Sequence, residues 1–77
     1  GISAVHCFSP SPSTIIVAAL NGEVKQVVVY DIAGSLVTSN HSSIGERCQL
    51  NVQQPGVYIV KATTKEDKTE TFKIVVK

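Results

Sequence analysis

Apolar and polar residues alternate along this chain in short runs. Seven such runs stand out: Ala4–Phe8, Thr14–Leu20, Lys25–Ile32, Leu36–Asn40, Arg47–Val52, Val57–Thr64 and Glu70–Val76. The period-2 pattern is clearest in two of them. Cys48, Leu50 and Val52 alternate with Arg47, Gln49 and Asn51; Phe72, Ile74 and Val76 alternate with Thr71, Lys73, Val75 and Lys77. In an extended strand successive side chains point to opposite faces, so each run presents one apolar face to a core. Ile15–Leu20 and Val27–Tyr30 are apolar on both faces, which predicts strands in the middle of a sheet. Leu36–Asn40 carries Thr38, Ser39 and Asn40, which predicts an edge strand. No run keeps helical spacing for three turns.

The connections carry turn chemistry: Ser9-Pro10-Ser11-Pro12, Asn21-Gly22, Asp31 to Gly34, Asn40 to Gly45, Gln54-Pro55-Gly56 and Lys65 to Lys68. Seven short strands with turns every eight to twelve residues predict an all-β, immunoglobulin-like, seven-stranded antiparallel β-sandwich. Pro55-Gly56-Val57-Tyr58 puts a tyrosine at the start of the sixth strand. That is the place of a tyrosine corner, whose hydroxyl bonds back to the preceding backbone. Tyr58, with Pro55 and Gly56, is therefore a candidate structural anchor. Two residues on stands Val60 rather than Cys, and the chain has no Trp, so the antibody-type disulfide and core indole are both missing.

Composition narrows the function. The chain has 77 residues, 43% hydrophobic and 17% charged, with only two Phe and two Tyr. Val and Ile dominate the apolar supply, as suits sheet. One domain of this length buries only roughly 60% of its unfolded surface, so its stability is modest. Seven Lys+Arg against six Asp+Glu give a net charge of +1. That is too weak a field to gather nucleic acid or anionic lipid. The sequence has no Met, no charged segment leading into an apolar signal region and no apolar run near eighteen residues. It reads as residues 1–77 forming a single domain of a larger precursor.

No residue set supports catalysis or a bound metal or cofactor. Cys7, Cys48, His6 and His41 supply metal-ligating atoms but without C-x-x-C or H-x-x-x-H spacing. His6 and Cys7 are adjacent on a strand and so face opposite ways. A cysteine nucleophile needs a histidine to orient it, and neither histidine has an evident orienting partner. Glu66-Asp67-Lys68-Thr69-Glu70 reads as a solvated turn, where nothing raises a carboxylate pKa for acid–base work. Cys7 and Cys48 stand either as one disulfide, worth about 4 kcal/mol in the chain-entropy model, or as a pair of buried thiols.

Read in order, these elements resemble the C-terminal sorting domain of type IX secretion, carried by exported proteins of Bacteroidota. The resembling segments are Val5-His6-Cys7-Phe8-Ser9-Pro10-Ser11-Pro12, Tyr30-Asp31-Ile32-Ala33-Gly34, Pro55-Gly56-Val57-Tyr58-Ile59-Val60-Lys61 and Thr71-Phe72-Lys73-Ile74-Val75-Val76-Lys77. Ser11 stands where the family commonly has Asn. The resemblance implies an export signal at the C-terminus of a periplasmic cargo. Its expected partners are the outer-membrane type IX translocon and a sortase-like cysteine peptidase, which usually cuts the domain off and can anchor the cargo at the cell surface, whereas some machinery proteins of the system keep the domain. It also locates the signal in Lys73, Ile74, Val75, Val76 and Lys77, where lysines on a terminal strand equally serve as edge protection. Asp31 and Gly34 are candidates for a recognition loop, although an ordinary β-turn needs the same two residues. The alternative reading is an accessory carbohydrate- or protein-binding sandwich of an extracellular enzyme. An exposed terminal strand allows either a monomer or an edge-strand dimer.

Overall fold

The computed structural model describes residues 5–41 and 45–77. Within them lie seven strands: β1 (Val5–Phe8), β2 (Thr14–Ala19), β3 (Val24–Asp31), β4 (Leu36–Asn40), β5 (Arg47–Asn51), β6 (Gly56–Thr64) and β7 (Thr69–Val76). The predicted runs match these strands to within a residue at each end. Ala4, at the start of the first run, and part of the predicted Asn40 to Gly45 turn lie outside the described residues.

The strands form two antiparallel sheets, in the orders β1-β2-β5 and β4-β3-β6-β7. The two runs that are apolar on both faces, β2 and β3, have neighbours on both sides, as central strands should. The polar run β4 lies at an edge. β4 stays in the four-stranded sheet because a tight turn returns the chain antiparallel to β3. This differs from the immunoglobulin constant-type arrangement, which puts the fourth strand on the other sheet. The β3–β4 ladder slips between Val29 and Tyr30, leaving Val37 as the extra residue of a bulge.

The core is aliphatic. Ile15, Val17, Val24, Val27, Val29, Val60 and Ala62 are completely buried, and Val5, Cys48, Leu50, Val52, Tyr58 and Val76 join them between the sheets. Phe72 and Ile74 pack against this cluster as partly buried neighbours. The alternation read from the fifth and seventh runs is the burial observed. Cys48 and Leu50 are buried between exposed Arg47, Gln49 and Asn51. Along β7, Phe72, Ile74 and Val76 turn inward while Thr71, Lys73 and Val75 stay exposed.

Strand direction places the loops. Phe8, Thr14 and Asn51 close one end of the three-stranded sheet. Asp31, Gly56 and Val76 close the same end of the other sheet, since the chain passes from Asn51 to Gly56 in a short loop. The far end holds Val5, the β2–β3 turn, Gly45 and the turn from Lys65 to Lys68.

Candidate functional site

Every turn that carried the sequence resemblance converges on one end of the sandwich, together with the end of the last strand. The Ser9–Pro12 turn is tied by its own hydroxyls. Ser9 Oγ donates to the carbonyls of Thr14 at 2.6 Å and Ser11 at 3.2 Å, and Thr14 Oγ1 donates to the Pro12 carbonyl at 3.2 Å. Ser13 follows with φ at 63°, the left-handed region that non-glycine residues seldom occupy. That conformation lets Ser13 face two strands at once. Its N–H donates to the Lys77 carbonyl at 2.9 Å, and its carbonyl accepts from the Val52 N–H at 2.9 Å. Ser13 thus ties the end of β7 to the residue that follows β5. Nothing in the sequence marks this role, because a serine in a Pro/Ser-rich turn carries no sign of its φ. A groove of about 240 Å³ runs between this turn and Val75 and Lys77.

The second turn is organised by Asp31. One carboxylate oxygen accepts from the N–H groups of Ala33 and Ser35, each at 2.9 Å. Backbone bonds from Gly34 N–H to the Asp31 carbonyl and from Asp31 N–H to the Ser35 carbonyl, both 3.0 Å, close the loop. Gly34 has φ of 89°, which a side chain would strain. This turn chemistry accounts for both residues, and it leaves the turn at the surface where a partner can reach it.

The third turn holds the tyrosine. Tyr58 is buried, and its hydroxyl donates to the Gln54 carbonyl at 2.5 Å, four residues upstream. Its ring fills core space while its polar end satisfies a loop carbonyl, the arrangement expected of a tyrosine corner. Pro55 and Gly56 form the bend between them. Beside this corner an open cleft of about 460 Å³ lies between Asp31, Val37 and Thr38 on one sheet and Asn51 of the other, with Gln53 and Gln54 from the loop that follows it. Its lining is mostly amide and hydroxyl, without a pair of ionisable groups set for proton transfer.

Of the five terminal residues singled out in the sequence, the fold exposes three. Lys73, Val75 and Lys77 project outward, whereas Val76 is buried and Ile74 packs on the core. A partner meeting the folded domain touches only the outward set. Asp31 and Gly34 sit at the same end, two strands away from β7.

The cysteines lie on the two edge strands of the other sheet. Cys7 and Cys48 are both paired in register with Val17, one on each side of β2. Strand spacing puts their backbones roughly 10 Å apart. A disulfide requires Cα atoms within about 7 Å, so these are free thiols, and the alternative of a bridge is set aside. Burial pushes the Cys7 thiol up to about 11. Burial also raises Cys48, and a bond from Asn40 Nδ2 at 3.7 Å offsets part of that. Both are therefore kept as neutral thiols, the opposite of what a nucleophile needs. His6 lies against Phe8 with ring centroids 5.0 Å apart, and His41 bonds the Ser39 hydroxyl at 3.2 Å. Among the described residues no three metal-ligating side chains come together.

Comparison with known proteins agrees with this geometry. The crystal structure of CopC from Methylosinus trichosporium OB3b superposes with a TM-score of 0.53 at 18% identity, over 92% of this chain and 93% of that one. A likeness at that identity speaks for the shared β-sandwich fold alone. No curated protein matches the sequence. The family model described as "Secretion system C-terminal sorting domain" matches residues 9–77, from the Ser9–Pro12 turn through the last strand. With its three turns and its last strand gathered at one end of a seven-stranded sandwich, the chain belongs to the secretion system C-terminal sorting domain family.

Proposed function

We propose that this domain is the type IX export label of a larger cargo protein, and that the outer-membrane translocon reads it at the end formed by Pro10–Ser13, Asp31–Gly34, Gln53–Gly56 and Lys77. Membership of the sorting-domain family supports the export role. One observation carries the location. Ser13 bonds both the Lys77 carbonyl and the Val52 N–H, so the last strand and two of the turns form one fixed surface. Val75, Lys77, Asp31 and Gly34 supply its accessible groups, and Lys73 lies further back on the outer face of β7. Cargo joined ahead of β1 leaves from the far end, where Val5 lies, and does not obstruct that surface. A sortase-like cysteine peptidase then cuts ahead of β1 and transfers the cargo to the cell surface, the domain having passed through the periplasm. The domain contributes no catalytic group to that step.

The accessory carbohydrate-binding reading draws less support. A sugar platform needs an open aromatic face, yet Arg47 lies 5.8 Å over the Phe8 ring and Lys61 lies 5.6 Å over the Tyr30 ring. Tyr58 is buried and Phe72 packs on the core.

The test fuses these residues to the C-terminus of a periplasmic reporter in a type IX-competent strain. Removing Thr71–Lys77 is a poor control, because it strips most of β7 and with it the buried Val76, leaving the core open. Lys73→Glu with Lys77→Glu keeps the strand and reverses its outward charge. Export of the parent fusion with retention of the double variant is the expected result. A parent fusion that stays in the periplasm refutes the export reading, and one released only with the domain attached refutes the cleavage step.

A further inference from the structure

The outer face of the four-stranded sheet is apolar where it should be wet. In register across that face lie Leu36, Tyr30, Ile59 and Lys73, one from each strand, spanning about 14 Å at ordinary strand spacing. The next row towards the turns pairs Val57 with Val75, and Ile32 stands beside it in a shallow groove with Tyr30, Gly34 and Ile59. Leu36, Val75 and Ile32 are 64%, 65% and 74% exposed. Such residues scattered singly mean little. These three lie together on one face at one end, whereas the far end shows only Leu20 among the large exposed apolar side chains described.

The rim carries charge of one sign. Lys61 lies over Tyr30, Lys73 ends the apolar row and Lys77 follows Val75 at the turn end. Neither Lys73 nor Lys77 makes an ion pair among the described residues. The nearby carboxylate, Asp31, is turned to the backbone of its own turn. An apolar centre with an unpaired cationic rim is the complement of an apolar surface bordered by carboxylates.

Resting on the export reading, we infer that this face is a second, lateral contact with the secretion machinery. Its occupant is a folded protein surface with an apolar centre and an acidic rim, which meets Ile32, Leu36, Ile59 and Val75 while Lys61 and Lys73 steer it. A protein fits better than a lipid surface. The face is a flat pleated sheet of aliphatic residues, its single aromatic is covered by Lys61, and the net charge of +1 gives little attraction to anionic headgroups.

Leu36→Ser in the reporter fusion tests this without touching the terminal strand or the Asp31–Gly34 turn. Its side chain is exposed, so the melting temperature should hold, and circular dichroism of the purified variant verifies that. The exported fraction should fall by about tenfold, the effect of losing an anchor from the centre of a buried interface. Leu20→Ser, equally apolar and at the far end, should export as the parent does. Lys61→Glu is the second variant, with the apolar centre intact. It should weaken capture of the domain by the purified translocon, and the parent's capture should fall as salt is raised.

Export of the serine variant at the parental level overturns the lateral contact and leaves the export reading standing. Failure of the parent fusion to be exported removes both. Two other outcomes overturn the proposed occupant. One is binding of the parent, and not the serine variant, to phosphatidylglycerol vesicles. The other is a concentration-dependent dimer of the chain that the serine variant abolishes.

Discussion

At the end of the sandwich that carries the turns, side chains bond mainly to backbone; at the far end they bond mainly to one another, across solvent. Tyr58, Asp31, Ser9 and Thr14 each hold a main-chain group in place near Pro10, Gly34 or Pro55. The far end has backbone bonds too, from Val24 to Gly45 and from Lys65 to Glu23. Its side-chain ties include one to backbone, from the Lys68 N–H to Thr64 Oγ1 at 3.3 Å, but are otherwise the Thr63–Thr69 hydroxyl pair at 2.9 Å and exposed ion pairs of Lys25 with Asp67 and of Lys65 with Glu23, the latter at 2.5 Å. Exposed ion pairs contribute little, while a buried hydroxyl on a loop carbonyl fixes a conformation. The difference teaches which end is preorganised. A surface meant to be recognised loses least affinity when its loops are already in place.

The comparison can be broken most sharply at Tyr58. Tyr58→Ala should cost about 3–5 kcal/mol, as for other buried aromatics, and in a domain whose whole stability is on the order of 5 kcal/mol it should leave at most about 2 kcal/mol, read by circular dichroism as a large drop in melting temperature. Tyr58→Phe keeps the ring and loses only the bond to Gln54, so urea unfolding should show a loss of about 1 kcal/mol. Asp31→Ala removes the acceptor for two backbone N–H groups and should cost about 1–2 kcal/mol by the same measurement. Gly34→Ala, forcing a side chain into positive φ, should cost about 1 kcal/mol.

Much of this is legible in the sequence. The strands follow from period-2 alternation, and the central positions of β2 and β3 follow from their two apolar faces. The tyrosine corner was readable because Pro-Gly-x-Tyr carries its own mechanism: a bend that turns the ring inward two residues later. Three things were not. The φ of Ser13 depends on strands brought together from opposite ends of the chain, which local chemistry does not report. The exposure of Leu36 and Ile32 was hidden because an apolar residue on the outer face of an edge strand, or in the turn that leads to it, looks like any other strand residue. The state of the cysteines depends on the sheet order β1-β2-β5, and alternation fixes the face of a side chain but not which strand stands between two others.

Smaller effects sharpen the comparison from the core and from the far end. The Cys7 thiol ordinarily ionises near 9.0 and is pushed up to about 11 in the fold, so the unfolded chain loses its proton first. The stability this group contributes is whole below pH 9 and is lost as pH rises from there towards 11. Urea midpoints should fall over that window, and Cys7→Ala should flatten the fall without moving either end of the sandwich. Lys25→Ala or Lys65→Ala should cost about 0–1 kcal/mol, less in high salt. A loss above 2 kcal/mol there, by urea titration, would erase the contrast between the ends.

The strand between the two thiols has a consequence for transport. With Val17 interposed, oxidation has no bridge to form within the chain and reduction has none to break, so the fold is insensitive to the redox poise around it. A label of this kind needs no oxidoreductase to mature it. Its shape in an oxidising or a reducing compartment rests on the same valines.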